Sequence, residues 1–390
     1  MTIKDEIKRD HDLLTEWRRD FHAHPELAFE EERTAGLVAE RLESFGVEVS
    51  RGLAKTGVVG KLTTGTGNRA IALRADMDAL PMDEGNDFEY ASKTPGKMHG
   101  CGHDGHTTML LGAAKYLAET KDFDGTVYFV FQPAEEAEGG AEVMVKEGLF
   151  EKFPVEAIYG MHNWPGMPVG EFAIAPGPMM AAFDVFDLVI RGQGSHGAMP
   201  HQGVDSIVVA SQVVSALQSI TSRNTDPIDA LVVSVTQIHG GDAYNIIPDE
   251  VILRGTVRSF REEVRDMVEP AVKRIADGVC AAYGATAELH YEKRYPATVN
   301  SVEETELAAE AATKIVGSEA INRSPVPSMG SEDFAYMLRE KPGSYVWVGN
   351  GAGEGGCMLH NPGYDFNDDI IPIGASYWAT LVEQVLSAER

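Results

Sequence analysis

Residues 107 to 131, TTMLLGAAKYLAETKDFDGTVYFVF, hold the pattern that decides the fold. The first half reads as a helix, and TVYFVF reads as a short, continuously apolar strand. Further strand-like runs lie on both sides: GVVGKL (57–62) and AIALRADM (70–77) before it, AIYGMH (157–162) after it. Ahead of these, residues 3–20 look helical with Leu13, Leu14 and Trp17 on one side. EERTAGLVAERLESFG (31–46) repeats Leu37, Val38, Leu42 and Phe45 at helical spacing and stops at Gly46. Helices interleaved with apolar strands predict an α/β protein with a mixed, largely parallel, helix-covered sheet. In such a sheet functional residues gather just beyond strand ends. Asp76 and Asp78, Glu135 and Glu136, and His162 follow predicted strands in this way.

Around APGPMMAAFD (175–184) the pattern changes, with two prolines as punctuation. A strand-helix-strand-strand-helix-strand set follows, with Pro270 near the front of its second helix as a kink or a late start. After RYPATVN (294–300) the helix-strand alternation resumes and runs to the C-terminus. We expect a catalytic domain in two parts, residues 1–181 and 295–390, interrupted by an α+β domain at 182–294. A single continuous domain is the alternative. The chain shows no internal repeat and no low-complexity tract.

Composition narrows the function. The 390 residues are 43% hydrophobic and 24% charged, which is globular composition. No stretch reads as a signal peptide or a membrane span, so the expectation is a soluble, cytoplasmic protein with no membrane partner. Cys101, Cys280 and Cys357 are too few and too scattered for a disulfide framework and fit a reducing compartment. A formal charge of −27 with no opposing basic patch argues against nucleic acid.

The chemistry concentrates in MHGCGHDGHT (98–107), which packs His99, Cys101, His103 and His106 into one glycine-punctuated segment. A thiolate and an imidazole at i and i+2 can reach one metal or two adjacent metals when glycine lets the backbone turn between them. Alone, the cluster is equally readable as buried structural residues or as a nucleophilic thiol paired with His103 or His106. FQPAEE (131–136) adds two adjacent glutamates at a strand end. The pair is either a solvated acidic helix start, or a ligand beside a free general base for a metal-activated water. His162 in YGMHNWPG and His360 in GGCMLHNPGYDF are further histidines at loop-strand junctions.

RADMDALP (74–81), MHGCGHDGHT, FQPAEE, MHNWPGMPVG (161–170), GSHGAMPH (194–201), GSEDF (330–334) and MLHNPGYDF (358–366) together resemble the M20 metallopeptidase family. More narrowly they are similar to its amidohydrolase subgroup, the hippurate, indole-acetyl-amino-acid and N-acyl-amino-acid hydrolases. The resemblance covers essentially the whole chain. It implies that Cys101, His103, Glu136, His162 and His360 hold two divalent ions, Zn²⁺ or Mn²⁺ with Co²⁺ or Ni²⁺ also acceptable, and that Glu135 is the catalytic base. The implied reaction is hydrolysis of N-acyl amino acids. Where many members carry H-x-D-x-x-P this chain has Asp76-Met77-Asp78-Ala79-Leu80-Pro81, so Asp78 is expected to orient a ligand. His99 and His106 are taken as supporting residues. The resemblance further implies that the inserted domain is a lid and homodimerisation domain. His196 would reach the active site from it, and Asn245 and Arg254 are candidates to bind the substrate carboxylate. Trp164 and Tyr364 hint at an apolar substrate part. The rival readings are a Cys101-dependent thiol hydrolase and a non-catalytic metal-dependent binding protein.

Overall fold

The computed structural model describes residues 1–136, 138–352 and 358–387. Cys357 lies outside them. The chain forms two compact units. One comprises Met1–Met179, Val299–Val326 and Asp333–Arg390, and the other Met180–Thr298 with Pro327–Glu332.

The first unit opens with α1 (Asp5–Arg9), α2 (His11–Ala23) and α3 (Glu32–Ser44), followed by β1 (Glu48–Leu53), β2 (Gly57–Thr64) and β3 (Ala70–Asp76). Then come α4 (His103–Thr120), β4 (Gly125–Gln132), α5 (Gly140–Lys146), α6 (Leu149–Lys152), β5 (Ala157–Pro165) and β6 (Phe172–Ala173). The single helix expected over residues 3–20 is divided at Asp10, whose carboxylate takes Lys115 Nζ from α4 at 2.6 Å. Eight strands order as β1-β2-β4-β3-β5, then Gly343–Gly351, β6 and Ile321–Asn322. The middle four, β4, β3, β5 and Gly343–Gly351, run parallel, and antiparallel pairs flank them. Near-continuous burial of β3, β4 and Gly343–Gly351 explains their unbroken apolar runs: side chains on both pleat faces meet other elements.

Helix α4 is buried almost all round, packing on β3, α2 and the helix Ile371–Val385, so it lacks the polar stripe of a surface helix. At its crossing with Ile371–Val385 a Cβ on Gly374 would stand 2.1 Å from Met109 Sδ, so a larger residue here would force the Met109 side chain to move. His162 lies inside β5 rather than beyond it, because the strand continues against Gly343–Gly351 with His162 opposite Trp347.

The second unit is a four-stranded antiparallel sheet, ordered Leu231–His239, Glu250–Ser259, Ala182–Arg191, Thr286–Lys293. Helices Ser206–Ser219 and Glu262–Tyr283 share its core, built around Phe186, Leu188, Val213, Leu253 and Val268. Asp205 caps the first of these helices, its carboxylate accepting from the N–H groups of Ile207 and Val208. The second helix begins at Glu262 and runs through Pro270, so the proline is not its start. Among the described residues no helix is long and apolar enough to cross a membrane.

Candidate metal centre

The site assembles where β3, β4 and β5 meet the start of α4. After β3 the chain turns through Asp78, and Met98 pairs with Leu80 before the segment reaches Cys101. Gly102 precedes α4 with φ of +97°, and a Cβ there would stand 2.2 Å from Asn163 Oδ1. Only glycine satisfies both demands. The expected glycine-punctuated turn therefore ends at Gly102, and His103 to His106 form the first helical turn.

Three groups of side chains place one ligand atom each within 4.8 Å of one another: Cys101, His103 and His162; Cys101, Glu136 and His360; His103, Glu135 and Glu136. Sharing members, they make one cluster of a thiol, three imidazoles and two adjacent carboxylates. The ring nitrogens are sorted by their partners. His103 Nδ1 lies 2.9 Å from the Asp78 carbonyl, and His162 Nδ1 lies 2.6 Å from the Asn163 carbonyl. A carbonyl only accepts, so each Nδ1 carries a proton and each Nε2 faces the cluster. His162 Nε2 lies 3.4 Å from Cys101 Sγ, and His360 Nε2 lies 3.2 Å from Glu136 Oε1. His103 Nε2 is buried with no hydrogen-bond partner among the described residues, and Glu136 Oε1 is buried with His360 Nε2 beside it. A buried imidazole nitrogen, a carboxylate oxygen and a thiol sulfur facing one another make a donor set that fits a soft-to-borderline divalent cation.

The main chain that carries the two glutamates is held from outside. Asp78 Oδ1 accepts the N–H of Glu135 at 3.0 Å and Oδ2 that of Glu136 at 2.9 Å. Asp78 thus orients His103 with its carbonyl and the glutamate pair with its carboxylate.

Charge at the cluster also favours a cation. Burial raises the Cys101 thiol well above its ordinary range, and the carboxylates of Glu136, Glu135 and Asp76 add to the rise. Burial opposes a charged His103, but Asp76 and Asp78 outweigh it and raise the imidazole to about 10, so without an ion its Nε2 carries a proton that a bound cation would displace. Burial and the neighbouring His106 push His162 down.

Asp76, His103 and His106 also lie within 4.8 Å of one another. Nevertheless both nitrogens of His106 are used: Nδ1 on Asp76 Oδ1 at 2.6 Å, Nε2 accepting from the Asn163 N–H at 3.0 Å. Asp76 is in turn held by Arg74 Nη1 at 2.6 Å. His106 and Asp76 therefore brace the site. His99 is 1% exposed with both nitrogens unpartnered among the described residues, and burial pushes it down to about 4, so it stays neutral. Asp104, beside His103, receives His22 Nδ1 at 2.9 Å and is held well below the usual carboxylate range although burial alone would raise it.

The remaining predicted residues divide. Trp164 is half-buried and stacks on Trp347 with centroids 4.0 Å apart. Tyr364 is 1% exposed, its oxygen accepting from Asn163 Nδ2 at 2.6 Å, so it is a core residue. In the second unit, exposed His196 lies on the short strand Ser195–His196 opposite Ile246, and the carbonyl of exposed Asn245 accepts from the Gly197 N–H at 2.8 Å. Arg254 lies on Glu250–Ser259, half-exposed, with Nε 3.2 Å from Asp187 Oδ2.

Motif reading did not single out Glu31, Arg74, Asn163 or Asp333, all buried. Arg74 pairs with Asp333 Oδ1 at 3.0 Å as well as with Asp76. A charged residue inside an apolar strand run, as in AIALRA, was the available signal for Arg74.

Residues 72–384 match the model of peptidase family M20/M25/M40. The chain is 42% identical over 369 residues to hippurate hydrolase of Campylobacter jejuni, covering 95% of each. It is 48% identical over 301 residues to N-acyl-L-amino acid amidohydrolase of Geobacillus stearothermophilus, 76% of this chain and 80% of that one. A Bacillus subtilis crystal structure described as a dinuclear metal binding peptidase of family M20 superposes with a TM-score of 0.85 at 36% identity, covering 97% of this chain and 99% of the other.

Proposed function

Because the chain belongs to peptidase family M20/M25/M40, we propose that it is a metal-dependent amidohydrolase cleaving the amide bond of N-acyl amino acids. Cys101, His103, Glu136, His162 and His360 hold two divalent ions in this reading, and Glu135 is the general base. The observation that carries it is His103 Nε2, buried without a hydrogen-bond partner among the described residues, inside a cluster of thiol, imidazole and carboxylate donors. The names of the two relatives support the substrate class. Sulfur, nitrogen and oxygen donors together suit zinc, and the imidazoles and carboxylate also accept manganese, cobalt or nickel; zinc and manganese are the ions proposed.

When bound, such ions supply Lewis acidity that acidifies water and polarises an amide carbonyl. The chain's own residues do the rest. Glu135, fixed through its N–H by Asp78, takes the proton of the attacking water and delivers it to the departing amine, which is too basic to leave unprotonated. The carbonyl oxygens of Asp78 and Asn163 keep the His103 and His162 rings aimed. We assign His196 to the developing oxyanion, Asn245 and Arg254 to the substrate carboxylate, and a lid and homodimer role to the second unit. The scarcity of cysteines supports a cytoplasmic location.

A nucleophilic Cys101 fits less well, since an attacking thiol needs a depressed pKa and this one is raised. A non-catalytic metal-dependent binder would have no use for the second glutamate. The test is a screen of the purified protein, supplied with Zn²⁺ or Mn²⁺, against N-benzoyl, N-acetyl and indole-acetyl amino acids. The expected result is amide hydrolysis that a strong chelator abolishes and added divalent ion restores. Hydrolysis indifferent to the chelator and stopped by thiol alkylation would overturn the reading.

A further inference from the structure

Three consecutive N–H groups, those of Ala134, Glu135 and Glu136, are each received by a buried carboxylate oxygen. Asp78 takes the last two. The first goes to Glu31 Oε1, 2.9 Å from Ala134 N and more than a hundred residues away in sequence. Ala134 is fully buried and sits at φ of +56°, the left-handed region that a residue with a Cβ adopts only at an energetic cost. Its carbonyl accepts from the Gly140 N–H at 2.9 Å, so the turn is tied at both ends.

Glu31 is itself tightly placed. Its Oε1 also accepts the N–H of Phe29 at 3.1 Å, and Phe29 is a second left-handed non-glycine residue at φ of +62°. Its Oε2 accepts the Thr56 hydroxyl at 2.6 Å. One carboxylate oxygen thus joins two strained turns, one at the entry to α3 and one at the residue before the glutamate pair. A carboxylate used only to begin α3 would not reach across to the end of β4.

We propose that Glu31 is a positioning residue for Glu135: by anchoring the left-handed turn at Ala134 it sets the direction in which the Glu135 side chain leaves the main chain. The proposal rests on the reading of Glu135 as general base. A reacting group displaced by about 1 Å can lose on the order of a hundredfold in rate, so the anchor acts on kcat rather than on the metal ligands.

The test compares Glu31→Gln with Glu31→Asp. Glutamine has the right length and an oxygen able to accept both N–H groups; aspartate keeps the charge but is one carbon short. We expect Glu31→Asp to lower kcat roughly 10- to 100-fold at unchanged KM and unchanged metal content, and Glu31→Gln to recover most of that loss. In metal-free protein, amide hydrogen exchange over residues 131–140 should be faster in Glu31→Asp than in the wild type or Glu31→Gln. Equal exchange in all three, or a glutamine variant impaired more than the aspartate variant, overturns the proposal. A loss confined to KM or to metal content does the same. Glu135→Gln, run in parallel, separates the two claims: wild-type turnover there refutes the base assignment, while the exchange measurement still reads whether Glu31 holds the turn.

Discussion

His360 Nε2 stands 3.2 Å from Glu136 Oε1, and the His360 N–H is donated to the Gly100 carbonyl at 2.8 Å. His360 therefore lies against the segment that opens α4. His360 holds its ring there from a left-handed backbone, φ +61°. It is the cluster's exposed member, with 54% of its side chain accessible, so it closes the site from the solvent side.

That exposure makes His360 the cleanest of the proposed ligands to remove. His360→Ala should leave metal-free stability within about 0.5 kcal/mol of wild type, as for most surface substitutions. Bound metal should fall from two ions per chain toward one, and turnover should fall with it. Calorimetric melting and elemental analysis check the two halves separately; full occupancy in the variant would remove His360 from the ligand set.

Glu135→Gln keeps the shape and the backbone N–H bond to Asp78 while removing the basic oxygen. Turnover should drop by about 10²- to 10⁴-fold with metal content unchanged, measured by steady-state kinetics beside elemental analysis. Retained turnover would contradict the assignment of the base.

Arg74 is wholly buried between Asp76 and Asp333, and its Nε also reaches Gln132 Oε1 at 2.7 Å. Arg74→Met preserves much of the volume but leaves two buried carboxylates without their cation. The expected destabilisation is about 3 to 5 kcal/mol, read from urea unfolding, with Arg74→Lys less affected. A loss below about 1 kcal/mol would mean that Asp76 and Asp333 are satisfied without the guanidinium.

Glu31 gives a pH signature. Burial pushes its carboxyl up to about 7, only partly offset by the Thr56 hydroxyl bond. An unfolded chain releases this proton near 4.5, so between that pH and about 7 the folded state holds the proton that the unfolded state has lost. Stability then decreases as pH rises through this window. Glu31→Gln cannot ionise, so its stability relative to wild type should improve from pH 5 to pH 8 by up to about 3 kcal/mol. A pH-independent difference would show that Glu31 does not carry this shift.

The strands were legible because β3 and β4 are buried on both faces and so read as short apolar runs, which their length and, in β4, their β-branched and aromatic content separate from the longer buried helix α4. The cluster was legible for a different reason. Cys101, His103, Glu136, His162 and His360 sit in short motifs rich in glycine and proline, where tight turns leave a compositional trace. What supports them was not legible. Glu31 lies in the charged run EEER, which reads as a solvated helix start, and nothing local says that its carboxylate turns inward to Ala134. Asn163 looked like a loop residue after a strand end, whereas β5 continues past His162 and buries it against His106 and Tyr364. The break at Asp10 likewise depends on Lys115, a partner from another helix. Long-range partners fix these features, and hydrophobic periodicity carries no record of them.

The most direct measurement is elemental analysis of purified, fully active protein beside its Cys101→Ser and His103→Ala variants. We predict two divalent transition-metal ions per wild-type chain, reduced occupancy in both variants, and loss of hydrolysis in step with the metal. Active protein free of such ions, or variants with undiminished occupancy, would contradict the claim that these side chains hold a dinuclear centre.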